Sequence, residues 1–252
     1  MILHTRRMLL GTVALFLGIS AIAVHDSIAR AAELTPSDVA ALVGIDGKFI
    51  NTALKGGTPE KKSNVPIKSS ALMVAVYAQA QITGKDAAED LKFASMRDNA
   101  LKVYKAVASK KYADAVAPAK ALAAMEVDPG ASVKPVDILK ETKADIDDLM
   151  AQFKKSGLDL ETQIKAQSKK AGKPEDAAAI GARMLVIVDL MATIHPDFGG
   201  KKNQAAWTAS SKEMKVASEE VLKAATSKDA KKISAAMLKL DGSCTSCHNV
   251  FK

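Results

Sequence analysis

Cys244, Thr245, Ser246, Cys247 and His248 place two thiols and an imidazole within one turn and a half of chain. Residues three and four apart share a helix face. On a helix, both thiols could therefore bond along one edge of a planar macrocycle while the adjacent imidazole reaches its central metal. Such a C-x-x-C-H run is the attachment signal for c-type haem, with His248 as the proximal iron ligand. Three other chemistries use the same thiols. A Cys244–Cys247 disulfide needs only an oxidising compartment. A thioredoxin-like pair wants a βαβ setting. A zinc site needs four ligands, and these are the only two cysteines. Haem c, one group held covalently, is the expectation.

Position narrows the class. Only Asn249, Val250, Phe251 and Lys252 follow the imidazole, so everything that encloses the cofactor precedes it. A four-helix bundle whose last helix carries the motif meets that demand, since bundles hold cofactors between facing helices.

The surrounding elements read as helices. The chain is 48% hydrophobic but only 4% aromatic, and prolines and paired glycines (Gly56-Gly57, Gly199-Gly200) punctuate it. Helices are expected over about 37–55, 67–83, 86–109 and 112–125, with a linker at 128–134. A long amphipathic stretch follows over about 136–170, with Leu139, Ile146, Leu149, Met150, Phe153 and Ile164 on one side. Further helices cover 174–194, 204–226 and 229–251. Their apolar positions, such as Ile180, Met184, Ile187, Met191 and Ile194, recur at helical spacing.

The two halves can be laid over each other. Ala71, Met73 and Val76 fall on Ala182, Met184 and Ile187. Phe93 and Val107 fall on Trp207 and Val221, while Ala113, Val116 and Ala119 fall on Ala230, Ile233 and Ala236. In the last register Val127, Gly130 and Ala131 stand where Cys244, Cys247 and His248 stand. The expected fold is all-α, with two tandem antiparallel four-helix bundles: a haemless one at 32–130 and a haem-binding one at 131–252.

Residues 1–31 read as a secretory signal peptide. Arg6 and Arg7 precede an apolar run from Met8 to Val24, and Ala29-Arg30-Ala31 offers a cleavage site. At 17 residues the run is short for a membrane span, which takes about 20. Periplasmic export is expected, with residues 8–24 as a membrane anchor if the signal is uncleaved. Loss of Arg6, Arg7, Arg30 and Asp26 lowers the net charge from +8 to +6. That modest excess suits redox partner proteins with acidic surfaces. No basic stripe interleaved with aromatics suggests nucleic-acid binding, and no hydrolytic or phosphate-binding motif suggests an enzyme.

With these residues in view, the sequence resembles the class II c-type cytochromes, the cytochrome c-prime family and its low-spin relatives. The ending Cys244-x-x-Cys247-His248-x-x-Phe251-Lys252 matches that family's C-terminal pattern. Trp207, opening a third helix, is similar to some low-spin members. The resemblance covers about 136–252 and implies electron transfer and homodimers. It also implies a Leu-Met pair on the bundle's first helix, here Leu149-Met150, whose methionine would be the distal iron ligand. Met184 and Met191 are further candidates, and five-coordinate iron binding NO or CO is the alternative. In the first half Leu42-Val43 occupies the matching place. His195, at a helix end, is expected to be structural, and Arg183 to lie on an exposed helix position.

Overall fold

The computed structural model describes residues 34–196 and 201–251. The signal segment at 1–31 and Gly199-Gly200 lie outside these residues. Among the described residues there are ten α-helices: α1 (Pro36–Leu54), α2 (Asn64–Ala80), α3 (Ala87–Ala108), α4 (Tyr112–Ala124), α5 (Ile138–Thr142), α6 (Ile146–Met150), α7 (Leu160–Lys169), α8 (Pro174–Met191), α9 (Lys201–Ser227) and α10 (Ala230–Phe251). The fold is all-α, and no helix among the described residues is long and apolar enough to cross a membrane.

Local chemistry fixes the helix starts. Thr35 and Asp38 form a reciprocal capping box on α1, and Asp86 accepts from the amides of Ala88 and Glu89 at α3. These caps satisfy donors that a first helical turn leaves open.

Helices α1 to α4 pack in sequence, and α4 closes back on α1. Gly47 permits that closure, because a Cβ there would lie 3.1 Å from the Leu122 carbonyl oxygen. Helices α7 to α10 follow the same order, with α10 closing on α7. Helix α7 runs antiparallel to α10: the Ser234 hydroxyl donates to the Gln167 carbonyl at 3.0 Å near one end, while Glu161 acts on Cys244 near the other.

The expected long helix over 136–170 is not formed. It is divided into α5, α6, a 3-10 turn at Ala151–Phe153, and α7. Lys143 ends α5 in a left-handed conformation. Asp137 and Asp145 each cap a new helix by accepting from the amide three residues on. Aspartates that satisfy open amides in this way compete with helix continuation. At Gly157 a Cβ would lie 2.3 Å from the Ala151 carbonyl oxygen, so the turn into α7 requires glycine.

The intervening segment is strapped to the first four helices. Helix α5 packs on α2 and α3, and α6 on α2. The Arg97 guanidinium, fully buried, donates to the carbonyls of Ser132 and Lys134. Asp148 accepts from the Tyr104 hydroxyl at 2.5 Å and pairs with Lys68 at 2.7 Å.

Candidate functional site

Helix α10 opens on Asp229, whose carboxylate accepts from the amides of Lys231 and Lys232. It then continues to Phe251. The C-x-x-C-H run therefore lies on regular helix. Ile233, Met237, Leu240 and Cys247 are buried along its inner face, as the periodicity predicts.

The two thiols point to different neighbours. Cys247 is buried and hydrogen-bonds with Ser210 on α9; burial raises its pKa and that bond opposes the rise. Cys244 is half-buried, and Glu161 and Lys165 of α7 interact with it. Burial, helped by Asp241, pushes the Cys244 thiol up to about 12. His248 is exposed at the rim.

Both cysteines carry free thiols. Neighbouring Cβ atoms on a helix stand about 5–6 Å apart, whereas a disulfide needs roughly 3.5–4.5 Å. The regular helix thus opposes the disulfide alternative. Among the described residues no three His, Cys, Asp or Glu side chains are grouped to hold a metal ion, so the zinc alternative lacks donors. Two separate thiols and one imidazole fit haem c, which consumes this donor set.

Met184, Met191, Met214 and Met237 are all buried in the second set of helices, and methionine adapts its shape more readily than branched residues. Trp207, also buried, donates its indole N–H to the Met191 carbonyl at 2.9 Å. Its ring meets Phe251, so the ends of α8, α9 and α10 are tied together beside His248.

Other candidates fall elsewhere. Leu149 and Met150 lie on α6, packed against α2, and not on the first helix of the second set. That helix is α7, whose inward residues are Leu160, Ile164 and Gln167. Met184 and Met191 are inside the second set. His195 is exposed just beyond α8.

The expectation for Arg183 is overturned. It is 2% exposed, and it donates to Asp46 at 2.7 Å and to Gln152 at 2.9 Å. Burial is possible because those acceptors replace water around the charge. Asp46 escaped sequence reasoning, although it follows Val39, Leu42 and Val43 at helical spacing along the buried stripe of α1.

The sequence model of the Cytochrome C' family matches residues 202–252, which spans nearly all of α9 and all of α10. The match supports a class II c-type cytochrome character for this C-terminal region. No curated protein and no solved structure matches the chain.

Proposed function

We propose that the chain is an exported mono-haem c-type cytochrome that carries electrons to and from redox partner proteins in the periplasm. The observation that carries this reading is the C-x-x-C-H run, with two unpaired thiols, on the last helix of a four-helix arrangement. The family match over the same helices supports it.

A haem bound here would supply a one-electron Fe(III)/Fe(II) couple. Cys244 and Cys247 would hold it through thioethers, and His248 would be its proximal iron ligand. The buried methionines exclude water, and Trp207 with Phe251 steadies the turn bearing the imidazole. Exposed Lys165, Lys169 and Lys170 on and just after α7 offer an acidic partner a docking surface. The first half is read as a degenerate repeat that kept the packing order and lost the cysteines and histidine.

A second reading is favoured by the placement of Met150. If α6 stays on α2, Met150 does not ligate, and unless Met184 or Met191 takes its place a bound haem iron would be five-coordinate, open to NO or CO. Visible spectra of the oxidised and reduced holoprotein separate the two. A low-spin spectrum that Met150→Ala converts to high-spin supports the Met150 carrier. A high-spin spectrum indifferent to that substitution, with CO binding, supports the gas-binding protein. Intact mass of chain made with a haem-maturation system tests both: a mass without haem overturns them.

A further inference from the structure

We propose that the cysteine-free first half is a built-in partner of the second, and that the Arg183–Asp46 pair is the charge contact that couples them. This goes beyond the haem reading and does not depend on it. Helix α8 is buried at every position from Ile180 to Met191. A helix enclosed on all sides needs neighbours all round. Helix α9 covers one side of it, while α10 and ten-residue α7 each add little. Helix α1 of the first half packs on α8 as well.

At that junction four elements meet around one guanidinium. Asp46, fully buried on α1, accepts from Arg183 at 2.7 Å. Gln152, in the 3-10 turn, accepts at 2.9 Å and donates to Ser69 at 3.0 Å and Ser70 at 3.3 Å on α2. The Tyr77 ring of α2 lies 5.9 Å from the guanidinium carbon. Asp46 is the only carboxylate paired with Arg183 among the described residues, and it comes from the other half of the chain. A buried charge without its partner is strongly destabilising, whereas replacing both members by apolar residues of similar volume is tolerated. Removing the Asp46 charge while the halves stay packed would leave the buried Arg183 with only the neutral Gln152 as its side-chain acceptor.

The aromatic residues permit a direct test on the full chain. Trp207 is the sole tryptophan and lies in the second half, while Tyr77, Tyr104 and Tyr112 are the only tyrosines and lie in the first. Urea unfolding followed by Trp207 fluorescence therefore reports on the half that does not contain Asp46. Asp46→Asn should raise the unfolding constant seen by Trp207 about a hundredfold or more. The double variant Asp46→Leu with Arg183→Met should recover most of that loss. An unchanged Trp207 transition in Asp46→Asn, or strictly additive effects in the double variant, overturns the proposal. If Asp46→Asn does not fold, the double variant decides: a Trp207 transition near wild type supports the coupling, and failure to fold overturns it. Haem content, read by mass in the same samples, tests the cytochrome reading separately.

Discussion

Trp207 and Phe251 meet edge to face, with ring centroids 5.2 Å apart and planes inclined at 85°. The contact joins the first turns of α9 to the last turn of α10, three residues beyond His248. Edge-to-face pairs contribute about 0.5–1.5 kcal/mol beyond the area they bury. Phe251→Ala should thus lower stability by roughly 1–2 kcal/mol and speed amide exchange at residues 246–251. Exchange unchanged there would show that the ring pair does not hold the turn.

The thiols should act separately on the cofactor. Cys244→Ala and Cys247→Ala should each retain haem through one remaining thioether, visible as a haem mass adduct after denaturation. The double variant should lose the adduct. A double variant that keeps it would place the covalent link elsewhere.

The Cys244 thiol has a pH signature in chain made without haem. Its folded pKa, pushed up to about 12 by burial, stands above its ordinary 9.0. The sign follows: the neutral thiol favours the fold fully below pH 9, and that contribution is lost as pH rises through about 12. At pH 9 iodoacetamide should label Cys244 slowly in the native chain and quickly in urea, as mapped by peptide mass. Equal rates would contradict its burial.

Gly157 controls the entry to α7. Gly157→Ala would drive a methyl into the Ala151 carbonyl, a backbone atom that cannot swing aside. The expected cost is about 1–3 kcal/mol, seen as a lower urea midpoint with an unchanged slope. An unchanged midpoint would mean that the turn is loose enough to yield.

The amino-acid order alone determined the helices outside 136–170, because their apolar spacing, caps and proline or glycine boundaries act within a few residues. It also determined that Cys244, Cys247 and His248 stand close together on one helix, since residues three and four apart are neighbours in any helix. Tertiary structure decided the rest. Asp137, Asp145 and Gly157 divided a stretch whose apolar period read as one helix, and Leu149-Met150 went to α2 on the detached piece. Arg183 read as a surface residue because its counter-charge lies 137 positions away. No local pattern records a pairing over that distance; only the packing of α1 against α8 brings Asp46 within reach and makes a buried guanidinium tolerable.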